Sequence, residues 1–155
     1  PEFRRTLSHS AFGEGWALYT ERLGKEAGFY QSPYSDFGRL GYEMWRAVRL
    51  VVDTGIHAFG WSRQKAIDYL ASHTALPQSA VEDQIDRYIS WPGQALSYKM
   101  GEIKIRELRA KAEKELGTQF DIRSFHDTVI GQGSLPMAVL EYVINDWIEK
   151  QKSAI

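Results

Sequence analysis

The chain contains no cysteine. Disulfides and thiolate metal sites are therefore excluded, and any bound metal would need histidine and carboxylate ligands. No run approaches the roughly 18–20 consecutive apolar residues needed to span a bilayer, so no membrane-spanning segment is expected. Neither sign of charge is in excess: 19 basic and 20 acidic residues leave a net charge of −1. Without the basic surplus that binds polyanions, a nucleic-acid partner is not expected. Several catalytic signatures are also missing. There is no GxSxG elbow, no phosphate-cradling glycine loop and no His-Glu-x-x-His pair. No signal peptide is visible, and the chain opens at Pro1 without an initiator methionine, as expected of a fragment or a processed product.

What is present is an ordinary globular composition, 43% hydrophobic and 25% charged, enriched in aromatics at 13% with five Trp. Large rings should dominate the core and any cleft. At 155 residues the chain can bury a real core, and one domain over 1–155 is the simplest reading. Periodicity is helical nearly throughout, which predicts an all-α fold of about seven helices. Expected spans are Phe12 to Gly28, Ser35 to Phe59, Ser62 (as N-cap) to His73, Ser79 to Ile89, Gln94 to Leu116, Asp121 to Val129, and a last helix opening at Pro136. Gln31-Ser32-Pro33 reads as a turn, and Trp91-Pro92-Gly93 as a break that proline imposes. The last helix repeats Pro136, Val139, Leu140, Val143, Ile144, Trp147 and Ile148 at core spacing and is a packing element.

Three stretches could carry chemistry. In Phe12-Gly13-Glu14-Gly15-Trp16, a carboxylate stands between two glycines. Glycine weakens a helix by about 1 kcal/mol relative to alanine, so two of them need a reason such as close backbone approach or a bound ion. The competing reading places Glu14 in a first turn, where it favours the helix dipole. On the second helix, Phe37, Leu40, Met44, Trp45, Val48, Val51, Val52, Ile56 and Phe59 form an apolar arc. Arg39, Arg46, Arg49, Asp53 and His57 form a stripe opposite. Arg49–Asp53 and Asp53–His57 are i, i+4 pairs, spaced for a charge-assisted chain that would orient His57. A solvated charged face is the alternative. Third, Gly93, Ala95, Ser97 and Gly101 make a thin stretch that another element can approach closely. Tyr98 projects from it as a core ring or as a phenol able to donate to an oxyanion. His9, His73 and His126 lack a partner at metal-binding spacing and read as structural or surface residues.

Phe12-Gly13-Glu14-Gly15-Trp16-Ala17-Leu18-Tyr19-Thr20-Glu21, Arg46-Ala47-Val48-Arg49-Leu50-Val51-Val52-Asp53-Thr54-Gly55-Ile56-His57 and Trp91-Pro92-Gly93-Gln94-Ala95-Leu96-Ser97-Tyr98-Lys99 recur in that order in one family. Phe125-His126-Asp127 and Gly133-Ser134-Leu135-Pro136 fit it too. On these motifs the chain resembles the bacterial DUF885 family, whose members are described as uncharacterised or lipoprotein-like. The resemblance implies a helical, gluzincin-type zinc-peptidase architecture acting on a peptide or other amide substrate, in a bacterial protein of exported or periplasmic location. It makes Glu14 the third zinc ligand and Tyr98 the oxyanion donor. His57 joins as a secondary catalytic candidate, and Arg46, Arg49 and Arg87 as holders of a substrate carboxylate. Full-length members carry an upstream His-Glu-x-x-Pro-Gly-His-His segment that this sequence lacks. The chain would then be part of a longer hydrolase, inactive alone, or a metal-free helical module for peptide binding or structure. A fragment would expose an apolar inner face prone to self-association.

Overall fold

The computed structural model describes residues 2–153. Among them are seven α-helices and no strand: α1 Ser10–Glu26, α2 Pro33–Phe59, α3 Arg63–His73, α4 Gln78–Ser90, α5 Ser97–Leu116, α6 Ile122–Ile130 and α7 Met137–Ser153. The expected all-α class holds. Contacts divide the chain, read from the sequence as one domain, into two compact units. One takes the residues up to Tyr19 together with those from Met100 onward; the other is Thr20–Lys99.

Local chemistry explains where the helices differ from expectation. Helix α2 begins two residues early, at Pro33, because Ser32 is a true N-cap and not a turn residue. Its hydroxyl accepts the Ser35 amide at 3.1 Å, while the Ser35 hydroxyl takes the Ser32 amide at 3.3 Å. This reciprocal box satisfies two donors that a helix start leaves orphaned, and proline fits the first turn because it has no amide to lose. Helix α1 also starts early, at Ser10, which moves Glu14 beyond the first turn. Helix α5 starts late, since Gln94–Leu96 form a 3-10 turn after Gly93. Pro136 is not inside α7 but just before it, its carbonyl accepting the amides of Val139 and Leu140 at 2.9 Å.

The core of the Thr20–Lys99 unit joins Val48 and Val52 of α2 to Ala66, Ile67 and Leu70 of α3 and to Val81, Ile85 and Tyr88 of α4, with Trp45, Ile56 and Leu76 packed against it. Here the expected faces of α2 are corrected. Phe37, Leu40, Met44, Val51 and Phe59 from the apolar arc are exposed, whereas Arg49 and Asp53 from the charged stripe are buried. The contacting line runs Trp45, Val48, Val52 and Ile56, and α4 lies against it. Arg49 and Asp53 flank that line, and groups on α4 and the Gly93 loop accept them. In the other unit, Phe12 and Leu18 of α1, Ile105, Leu108 and Ala112 of α5, Phe125 and Val129 of α6, and Leu140, Ile144 and Ile148 of α7 are buried. Each large side chain so covered contributes about 1.5–3 kcal/mol.

Candidate functional site

In the first unit, α1 and α5 cross at Gly15 and Gly101. A Cβ on Gly15 would lie 2.5 Å from the Gly101 backbone, and one on Gly101 would lie 1.9 Å from the Ala11 carbonyl oxygen. The close approach expected of this glycine pattern is real, and glycine is the only residue that permits it. Gly13 is different, since a Cβ there would meet nothing within 4 Å. Between the two stands Glu14, half-buried, with no hydrogen-bond or ion-pair partner among the described residues. In the same unit the Tyr19 hydroxyl lies 2.7 Å from His126 Nε2 and accepts Arg109 Nη1 at 3.2 Å. Trp16 and Tyr19 pack edge-on to the His126 ring. His126 is therefore packed and hydrogen-bonded within this unit.

The second unit holds the remaining candidates. Arg49, 4% exposed, is centred on the Tyr88 hydroxyl. That oxygen accepts Arg49 Nε at 2.8 Å and Trp45 Nε1 at 3.1 Å, and donates to Gln84 Oε1 at 3.2 Å. The Arg49 guanidinium carbon lies 4.3 Å from the Trp45 ring centre and 4.6 Å from that of Tyr98. Among the described residues its Nη1 is buried without an acceptor, and no carboxylate pairs with Arg49. The aromatic faces attract the cation but do not neutralise it. Tyr98 therefore meets Arg49 through its ring, and its hydroxyl has no hydrogen-bond partner among the described residues.

Arg46 stacks over Tyr42 at 4.8 Å and Trp45 at 5.4 Å. Its Nη1 donates to the Tyr42 carbonyl at 3.1 Å, Glu21 stands 3.6 Å from Nη2, and Nε has no acceptor. Among the described residues Arg87 bonds only neutral amides, Gln84 at 3.3 Å and Gln94 at 2.5 Å. The contrast with neighbouring arginines is informative. Arg39 is shared by Asp36 and Glu43, and Arg63 forms a two-pronged pair with Asp86 at 2.6 and 2.8 Å. The candidate arginines lack such close carboxylates.

The expected Arg49–Asp53–His57 hydrogen-bonded chain does not form. Both Asp53 oxygens accept the Gly93 amide at 3.2 Å, while His57 Nε2 donates to the Tyr88 carbonyl at 2.9 Å. Each side chain turns to the end of α4, where backbone groups left over by the helix terminus are available. Burial pushes the Asp53 carboxyl above its ordinary value, against the Gly93 amide and the nearby His57 charge, which pull it down. Glu43 shows the opposite balance. Burial alone would raise it, but Lys99 and Arg39 hold it below the ordinary carboxylate value. The sequence reading missed Tyr88, Gln84 and Trp45 as organisers of the cluster. Gln84 and Tyr88 stand at i, i+4, but Tyr88 and Arg49 are 39 residues apart, and no local pattern joins them.

Beside this cluster lies a cavity of about 220 Å³ lined by Phe37, Gly38, Gly41, Tyr42, Trp45 and the connector residues Thr74–Leu76. A second depression, lined by Glu21, Tyr30, Gly38, Arg39, Tyr42 and Arg46, shares Gly38 and Tyr42 with it. Among the described residues, no three His, Asp or Glu side chains converge closely enough to hold a metal ion.

No curated protein matches the sequence significantly. A crystal structure described as "the putative lipoprotein from Colwellia psychrerythraea" is 47% identical, superposes with a TM-score of 0.94 and covers 97% of this chain. The chain spans only 26% of that protein. The family model for DUF885, described as a bacterial protein of unknown function, matches residues 1–144. The three motif blocks, the helical architecture and this match over nearly the whole sequence agree: the chain belongs to the DUF885 family.

Proposed function

We propose that this chain is the helical portion of a zinc-dependent, peptidase-like hydrolase, inactive alone, in which Glu14 is one metal ligand. The observation that carries the reading is a set of groups without internal counterparts. Among the described residues, Glu14 is a half-buried carboxylate with no hydrogen-bond or ion-pair partner, and Arg49 is a buried cation with no carboxylate. Leaving a charge inside without a counter-ion is costly, so such groups persist where an external ligand completes them. A catalytic zinc takes three protein ligands, and the described residues do not assemble three. The others would come from outside them. A metal so held supplies Lewis acidity and an acidified water.

This chain's own residues would bind and orient the substrate. Arg46 and Arg49 present guanidinium nitrogens to a peptide carboxylate, which pairs with them in a charge-assisted way. Tyr98, whose phenol has no hydrogen-bond partner among the described residues, donates to the oxygen that becomes negative during acyl transfer. Arg87 is held at the end of α4 by two glutamines and offers a further cation. His57 keeps its ring anchored on the Tyr88 carbonyl and orients that helix end.

The test is zinc analysis of the full-length protein with and without Glu14→Ala. Stoichiometric zinc that drops at least ten-fold in the variant is expected, while undiminished zinc in Glu14→Ala refutes the ligand role. The second reading, a metal-free helical peptide-binding module, is favoured by the lack of a converged ligand set among the described residues. Peptide binding that survives chelation, in a full-length protein without zinc, would select it. The exposed Phe37, Leu40, Met44 and Val51 of α2 keep self-association open to light scattering under either reading.

A further inference from the structure

Helix α2 presents a regular line of positions to the rest of its unit: 38, 41, 45, 48 and 52. Trp45, Val48 and Val52 fill the later positions with core side chains. The first two positions are glycine. Neither Gly38 nor Gly41 has a positive φ, and a Cβ on either would meet nothing within 4 Å. Backbone geometry does not require glycine there, and packing does not require it. Glycine is also disfavoured in a helix interior relative to alanine. What these two residues provide is empty space on the face where side chains would otherwise stand.

That space is the cavity of about 220 Å³ walled by Phe37, Tyr42, Trp45 and Leu76. A dry apolar cavity of roughly 150 Å³ holds a benzene ring, so this one has room for a single phenyl or isobutyl group but not for a long acyl chain. Its aromatic walls carry positive charge. The Arg46 guanidinium lies over both Tyr42 and Trp45, and Arg49 lies over Trp45. Arg46 keeps 15% of its side chain exposed, forms a long ion pair with Glu21 at 3.6 Å, and its buried Nε has no acceptor among the described residues. The neighbouring depression, lined by Arg39 and Arg46 together with Glu21, meets the cavity at Gly38 and Tyr42, so an apolar compartment and a charged one adjoin.

We propose that the Gly38–Gly41 cavity is a side-chain subsite for the C-terminal residue of a peptide, taking a Leu or Phe side chain while Arg46 holds its α-carboxylate. It rests on the reading of Arg46 as a carboxylate holder but needs neither the metal nor hydrolysis. The test is calorimetric titration of the full chain, with chelator present, using N-acetyl-L-phenylalanine and N-acetyl-L-leucine. N-acetylglycine and N-acetyl-L-phenylalaninamide serve as probes lacking the side chain or the carboxylate.

Saturable binding of the first two is expected, with at least ten-fold weaker binding of the latter two. Gly41→Leu fills the cavity and should weaken binding at least ten-fold while its melting temperature stays equal or rises. Arg46→Gln should weaken the acids while leaving the amide unchanged. Absence of saturable binding, equal binding of the amide, or wild-type binding by Gly41→Leu would overturn the proposal. So would a lowered melting temperature in Gly41→Leu, which would mean that another polypeptide segment packs on these glycines. A full-length wild-type protein that holds no zinc yet keeps this binding would defeat the hydrolase reading and leave the subsite standing.

Discussion

Replacing Gly101 by alanine adds one methyl group where two helices touch backbone to backbone. The new Cβ would stand 1.9 Å from the Ala11 carbonyl oxygen and 2.8 Å from the Gly15 Cα, against an ordinary contact of 3.4–4 Å. None of these atoms is the end of a flexible side chain, so α1 and α5 would have to separate by roughly 1.5 Å. Overpacking of this kind costs about 1–3 kcal/mol, and the all-backbone contact puts it near the top of that range. Alanine returns about 1 kcal/mol of helix propensity. The net loss is then about 2 kcal/mol, or about 4–8 °C in melting temperature for a chain of this size. Gly38→Ala is the internal control. It makes the same chemical change in open space and should raise stability by up to about 1 kcal/mol. Thermal melts of both variants beside the wild type check the argument. A Gly101→Ala variant as stable as Gly38→Ala would refute the close crossing.

Tyr88→Phe removes the oxygen that serves Arg49, Trp45 and Gln84. Buried donors left unsatisfied cost about 1–3 kcal/mol each, so a loss of about 2–3 kcal/mol in urea unfolding is expected, and a loss below about 0.5 kcal/mol would contradict the hub. Asp53 gives a pH-dependent difference. Its folded carboxyl titrates above the ordinary value of 3.8 because it is buried, so the folded state holds the proton more tightly and ionisation lowers stability as pH rises from about 3.8. Asp53→Asn keeps an acceptor for the Gly93 amide but cannot ionise. Its stability relative to wild type should therefore grow from pH 3.8 upward and then level off in urea titrations at stepped pH, and a shrinking difference would count against the assignment.

Much of the fold was legible in the residues themselves. Ser62 and Asp121 cap α3 and α6 as their sequence positions imply, and Gly28 leaves α1 with a left-handed φ of 78°. The periodicity of α7 buries Leu140, Ile144 and Ile148. Capping, helix termination and amphipathic spacing are interactions among residues a few positions apart, so a single sequence carries them. The glycines at 15 and 101 also announced a close approach, though not which backbones would meet.

The face that α2 buries was legible only in part: Trp45, Val48, Val52 and Ile56 of the expected arc do pack inward. Composition favoured Phe37, Leu40, Met44 and Val51, all of which are exposed, while the buried positions include Arg49 and Asp53. A charged residue can be buried only where distant groups satisfy it. Here those groups are the Tyr88 hydroxyl, the Gln84 amide, the Gly93 amide and the Trp45 and Tyr98 rings, mostly supplied by elements far along the chain. The same holds for the cavity at Gly38 and Gly41, whose opposite wall is the α3–α4 connector. Sequence alone determined the helices, their caps and the family motifs, because local forces suffice for those. Tertiary structure alone decided which charges go inside and where space is left open, because both depend on what a remote part of the chain brings alongside.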